Sequence, residues 1–91
     1  MKDTTYNGWT NYETWRVNLE IFDGVNFAEY GFDRLDTYDL SQCLREHAIE
    51  ILESEDVKGL TFDYAMAFLD AVNWREIAQH MIDDYREEVA A

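Results

Sequence analysis

No proline interrupts this sequence, a single cysteine is present, and no apolar run approaches the roughly 20 residues that a membrane-spanning helix needs. Without proline, nothing in the chain forces a helix to break, which suits a mostly helical fold. Cys43 alone excludes an internal disulfide, and with it the stapled scaffold of a small secreted domain. The opening residues MKDTTYNGWT lack the apolar core of a signal peptide, so the expected setting is a reducing cytoplasm. The four glycines stand isolated, and no glycine-rich phosphate loop can be drawn through them. Basic residues are also scarce: seven Lys and Arg face twenty Asp and Glu, for a net charge of −13. Such a field repels nucleic acid and anionic membranes and attracts basic partners over about a Debye length, roughly 8–10 Å. Direct nucleic-acid binding and membrane association are therefore disfavoured.

What the chain has instead is apolar bulk, 47% hydrophobic and 15% aromatic. Acidic disordered tails pair high charge with few apolar residues, so this chain folds and carries its charge on the surface. Its 91 residues make one acidic helical domain, residues 1–91. A domain of this size buries only about 60–65% of its unfolded surface, and with no disulfide the aromatics are expected to fill the core.

Hydrophobic periodicity outlines four helices, giving an all-α compact bundle with an aromatic-rich core. In YETWRVNLEIF (12–22), Tyr12, Trp15, Leu19 and Phe22 share one face of a 3.6-residue helix. Thr10 with Glu13 reads as its capping box, and Gly24 as a left-handed C-terminal residue. Residues 25–38 fit no single period; a loop with a short helical turn is the reading, and a hairpin around Gly31 competes. LSQCLREHAIEILES (40–54) carries Leu40, Cys43, Leu44, Ala48, Ile51 and Leu52 as its stripe, with Asp39 as cap and Gln42 completing a box. FDYAMAFLDAV (62–72) follows Gly59 as a turn and Thr61 as a cap. It is apolar nearly all round, which predicts the central, most buried helix. WREIAQHMIDDYREEV (74–89) is the clearest segment. Asn73 caps it, Glu76 reaches back, Val72 staples to Ile77, and Trp74, Ile77, Ala78, Met81, Ile82 and Tyr85 repeat at three and four. The single residue Asn73 links it to the preceding helix, which predicts a sharp angle between them.

Chemistry finds little support. His47 precedes Glu50 by three residues and His80 precedes Asp83 by three, a spacing that can set two metal ligands together. No third and fourth ligand follow, and HExxH is absent, so both histidines read as residues of solvated polar faces. Cys43 sits in an apolar stripe within a negative field, which raises a thiol pKa and works against a nucleophile. No catalytic residue, metal or cofactor is expected, and an enzyme is not the reading.

The acids form a pattern of their own. Glu46, Glu50 and Glu53 stand at i, i+4 and i+7 opposite the apolar stripe, and Glu55 and Asp56 extend the series. Asp83, Asp84, Glu87 and Glu88 crowd the last turns of the final helix, where the helix dipole already ends negative. Each carboxylate there is unfavourable by a few tenths to about 1 kcal/mol, and like charges at i, i+4 add repulsion. Accepting that cost suggests a negative array in use. Carboxylates four residues apart lie about 6 Å apart along a helix, near the spacing of successive phosphates along one nucleic-acid strand. Such rows could occupy a basic groove made for DNA or RNA.

The stretch YNGWTNYETWRVNLEIFDG (6–24), with VNWREIA (72–78), resembles a family of small proteins encoded on bacteriophages, prophages and plasmids. The resemblance covers under a third of the chain and implies a habitat rather than an activity. In charge and size the chain is also similar to anti-restriction DNA mimics and anti-CRISPR proteins, an analogy of class. Together these imply a non-enzymatic inhibitor acting in the cytoplasm of a host bacterial cell. Its partner would be a basic nucleic-acid-binding protein or complex: a CRISPR effector, a restriction enzyme or a nucleoid protein. The partner-binding residues would be Glu46, Glu50, Glu53, Glu55, Asp56, Asp83, Asp84, Glu87 and Glu88. The alternative is a protein-binding adaptor that docks through exposed aromatics near Trp9, its acids only solubilising. Within NGWTNYETW itself, Asn7-Gly8 reads as a turn, Tyr12 and Trp15 as the start of the inward stripe, and Trp9 as a ring folded back on the first helical turn.

Overall fold

The computed structural model describes residues 6–23 and 31–90. Its elements are helix α1 (Tyr12–Val17) running into a π-helical turn (Asn18–Phe22), a 3-10 turn (Phe32–Arg34), and helices α2 (Thr37–Ser54), α3 (Gly59–Asp70) and α4 (Trp74–Ala90). The fold is all-α, and no strand is found among the described residues, so the hairpin around Gly31 gives way to the short helical turn. Gly24 and residues 25–30 lie outside the described residues.

Ahead of α1, Tyr6 and Trp9 exchange backbone hydrogen bonds of 2.8 Å in both directions. Asn7 (φ 47°) and Gly8 (φ 85°) make the turn between them. Positive φ at both central residues is the twist that an Asn-Gly pair supports. The cap of α1 is Asn11, not Thr10. Its Oδ1 accepts from the Thr14 amide at 2.9 Å and the Thr14 hydroxyl at 2.6 Å. Thr10 lies one residue too early, and its groups serve α4 instead. The buried residues on this segment are Thr14, Val17 and Phe22, while Leu19 is exposed. The π turn explains the departure from the expected stripe. The Asp23 amide bonds five residues back to Asn18, and the wider turn lets Val17 and Phe22, five residues apart, both point inward.

α2 begins a turn earlier than its periodicity suggests. Asp36 supplies the capping oxygen to the Asp39 amide at 2.7 Å, so Asp39 is the residue capped and not the cap. Leu40, Leu44 and Ala48 are buried and Cys43 and Leu52 half-buried, but Ile51 turns outward. At its end, Glu55 and a left-handed Asp56 (φ 55°) turn the chain toward α3.

α3 is not the central helix. Only Leu69 is buried, and Phe62, Ala65 and Met66 beside it are half-buried, while Leu60 and Tyr64 are 65% and 69% exposed. Thr61 lies within the helix, whose start at Gly59 follows Lys58 without a side-chain cap. The centre is the pair α2 and α4. Leu40, Leu44 and Ala48 join Ile77, Ala78 and Ile82, and Val17, Phe22, Phe32, Leu69 and Val72 close the cluster. Two of these eleven residues are aromatic, so the core formed by the described residues is chiefly aliphatic. Trp9, Phe68, Trp74 and Tyr85 pack around it as a half-buried shell. Flat rings on the rim suit a small, flattened body of 46 × 38 × 21 Å, where few positions are deep enough to enclose an indole.

Asn73 caps α4 as its sequence predicts, accepting from the Glu76 amide at 3.1 Å. The link between α3 and α4 is three residues, 71–73, because α3 ends at Asp70. α2 and α4 run in opposite directions. Thr37, at the start of α2, donates to Gln79 at 3.1 Å, while Arg45, eight residues on, meets Asp70 ahead of α4 at 3.4 Å.

Candidate partner-binding surface

The two segments that bear the sequence motifs meet in space. The Thr14 hydroxyl accepts from the Asn73 amide at 2.8 Å, and Asn11 Nδ2 donates to the Ala71 carbonyl at 2.8 Å. Asn73 Nδ2 donates to the Thr10 hydroxyl at 3.1 Å, and Glu76 accepts the Thr10 amide at 2.9 Å. Glu76 thus reaches across to α1 rather than back to its own cap. Trp9 stacks on His80 with centroids 4.2 Å apart, and Phe22 sits edge-on to Trp74 at 6.4 Å. The motif residues form a clasp between chain ends far apart in sequence, and Thr14 at its centre is fully buried.

The remaining chemistry-bearing groups are dispersed. His47 lies against Phe22, 6.1 Å between centroids, and His80 is occupied by Trp9. Among the described residues no three His, Cys, Asp or Glu are grouped to hold a metal ion. Cys43 is half-buried, and its thiol is pushed above the usual thiol range, first by burial and then by Glu46 and Glu50. A cleft of about 320 Å³ lies between α1 and α3, lined by Tyr12, Arg16, Val17, Glu20, Ile21 and Phe68. Arg16 is held there by Glu20 at 2.6 Å and by the Tyr12 hydroxyl at 3.1 Å.

The acids are where the surface is chemically distinct. Glu46, Glu50, Glu53, Glu55 and Asp56 are all exposed, as are Asp83, Asp84, Glu87 and Glu88. Only Asp56 has a cationic partner among the described residues, Lys58 at 3.6 Å. Asp83 accepts a hydrogen bond from Gln79 at 3.0 Å. Because α2 and α4 are antiparallel, their acidic ends lie at opposite poles, and the two rows do not join into one. The α4 pole is larger than its own sequence suggests. The chain of bonds Thr37–Gln79–Asp83 draws in the start of α2, adding exposed Asp36 and Asp39. Neither residue belongs to an acidic run, and only the helix pairing reveals them.

The aromatics near the N-terminus take a different form. Tyr6, Tyr12 and Trp15 cluster with centroids 4.9–5.8 Å apart, Tyr6 edge to face with Tyr12 and Trp15 tilted against both, and Tyr6 and Tyr12 keep more than a third of their surface in solvent. Trp9 faces the other way, onto α4.

A family model matches residues 2–90, nearly the whole chain. The chain belongs to the DUF7249 family, described as a family of unknown function. No curated protein and no solved structure matches it. No helix among the described residues is long and apolar enough to cross a membrane.

Proposed function

We propose that this DUF7249 protein is a non-enzymatic inhibitor from a mobile genetic element, acting in a bacterial cytoplasm. In this reading it occupies the basic nucleic-acid-binding surface of a host defence complex, such as a CRISPR effector or a restriction enzyme, or that of a nucleoid protein. The habitat rests on the NGWTNYETW resemblance. The action rests on one observation: nine exposed carboxylates with a single cationic partner among the described residues, seven of them on α2 and α4 and two in the turn that follows α2. Carboxylates fixed on a helix need no ordering on contact and present charge at regular intervals to a groove shaped for phosphates.

The two poles sharpen the reading, because each can be reversed without touching the other. In a pull-down from bacterial lysate, nucleic-acid-binding proteins are expected to be retained at about 50 mM salt. They should be largely lost by about 200 mM, as phosphate-like contacts are screened. Added DNA should displace the same proteins. Glu46, Glu50 and Glu53 changed together to Lys, or Asp83, Asp84, Glu87 and Glu88 changed together to Lys, should identify the engaged pole by loss of capture at retained helicity. Capture that neither salt, DNA nor either reversal affects would sink the proposal. It would leave the adaptor reading, for which exposed Tyr6 and Tyr12, rather than Trp9, offer the aromatic surface.

A further inference from the structure

α3 has two apolar faces. Phe62, Ala65, Met66 and Leu69 recur at i, i+3, i+4 and i+7; Leu69 is buried and the other three half-buried, with Met66 packed against the core cluster. Leu60, Tyr64, Ala67 and Ala71 recur at i, i+4, i+7 and i+11, the opposite side of the same helix, and all four are exposed. The outer stripe runs about 16 Å at 1.5 Å per residue, three helical turns. One turn beyond Tyr64, half-buried Phe68 carries the apolar surface round to Tyr12, edge to face at 6.3 Å, and into the cleft between α1 and α3. A solvated helix face of this length normally carries polar side chains. A contiguous apolar strip ending in a cleft is the surface that receives an amphipathic helix.

The charges around the strip select its occupant. Three cations around it are already paired, Arg16 with Glu20, Arg45 with Asp70 and Lys58 with Asp56, and exposed Arg75 lies beyond its Ala71 end. Asp63 borders the strip without a cation among the described residues, and Glu53 and Glu55 stand just ahead of α3. A second copy of this chain would bring another −13 charge to the contact, and one three-turn helix face is small beside the roughly 800 Å² per partner of a stable interface. We propose that the outer face of α3, with the α1–α3 cleft, docks a basic amphipathic helix of a partner protein. Its apolar side chains lie along Leu60, Tyr64 and Phe68, and its Lys or Arg residues face Asp63, Glu53 and Glu55. This site stands apart from the α4 row, shares only Glu53 and Glu55 with the α2 row, and does not require either row to replace phosphates.

The test uses the full chain and three synthetic peptides: two of one composition in Leu and Lys, one patterned as an amphipathic helix and one scrambled, and a third with the helical pattern and Glu in place of Lys. Binding is followed by backbone NMR shifts. The patterned Leu–Lys peptide should bind at least tenfold more tightly than the scrambled one. Its largest shifts should fall on residues 60–71 and around Tyr12, and the Leu–Glu peptide should not bind. L60S with Y64S, both at exposed positions where the fold is retained, should weaken the patterned peptide at least tenfold and leave the scrambled one unchanged. Reversing Glu46 with Glu50, or Asp83, Asp84, Glu87 and Glu88, should leave this binding in place, which separates its failure from failure of the inhibitor reading. Equal binding of patterned and scrambled peptides, or shifts confined to the acidic ends, overturns the proposal. So does a concentration-dependent dimer that L60S with Y64S abolishes, which would make the occupant a second copy.

Discussion

At the junction of α1 with α4, polar groups are matched one to one; at the ends of α2 and α4 they face water unmatched. Thr10, Asn11, Thr14, Asn73 and Glu76 close a ring of hydrogen bonds of 2.6–3.1 Å, and no buried side-chain N or O among the described residues lacks a partner. The nine carboxylates of the two acidic rows are exposed and make one weak ion pair among the described residues. The first arrangement fixes two chain segments in one geometry. The second adds repulsion that folding alone gives no reason to keep. Stability and partner-binding therefore draw on different parts of a very small molecule, and each should respond to substitution on its own terms.

The largest effect belongs to the clasp. T14V keeps the volume of a fully buried side chain and removes a hydroxyl that donates to Asn11 and accepts the Asn73 amide. It leaves the partly buried Asn73 amide and part of a cap unsatisfied, which costs about 2–3 kcal/mol. For a domain of this size that lowers the midpoint of thermal unfolding by roughly 10–20 °C, read by circular dichroism. An unchanged midpoint would mean that the clasp forms without contributing to stability.

How far the sequence foretold this contrast depends on whether a feature is local. α4 was legible because its cap, Asn73, and its stripe, Ile77, Ala78 and Ile82, lie within one helix. The cap of α1 was displaced by one residue because Thr10 and Asn11 are both competent, and the decision rests on Ala71 and Asn73, sixty residues away. α3 misled for a related reason. A helix apolar on all sides is equally consistent with burial and with an exposed apolar face, and packing against α2 and against Tyr12 of α1 decides which side stays exposed. The carboxylates were legible as exposed side chains. Their division into two poles was not, since the antiparallel pairing of α2 and α4 is fixed by contacts such as Thr37–Gln79 and Arg45–Asp70.

An intermediate effect of opposite sign is expected at the α4 pole. Asp83 with Glu87 and Asp84 with Glu88 are like charges at i, i+4 in the last turns of a helix that holds no basic residue in its final turn. Changing all four to Gln should raise stability by about 1 kcal/mol in total, since each exposed term is a few tenths. The urea midpoint should rise with the slope of the transition unchanged. If the quadruple variant is less stable, the acids support the fold and the contrast with the clasp fails.

The smallest effect reads the α2 row through its own cysteine. Burial is the first cause that raises the Cys43 thiol, and Glu46 and Glu50 add to it. A thiol raised in the folded state favours folding fully below its unfolded pKa. That contribution is lost as pH climbs through the folded value, so it matters only on the alkaline side. Since the thiolate is the reactive form, alkylation of Cys43 by iodoacetamide at mildly alkaline pH should be slower than that of an unstructured peptide thiol. E46Q with E50Q removes the lesser causes and keeps the burial, so the rate should rise but remain below that of the peptide. Added salt should reproduce part of the rise in the unaltered protein and almost none in the double variant, because only the carboxylate contribution is screened. A rate indifferent to both changes would show that the row exerts no appreciable field at Cys43. Its carboxylates would then be too well solvated to act as a concerted charge on a partner.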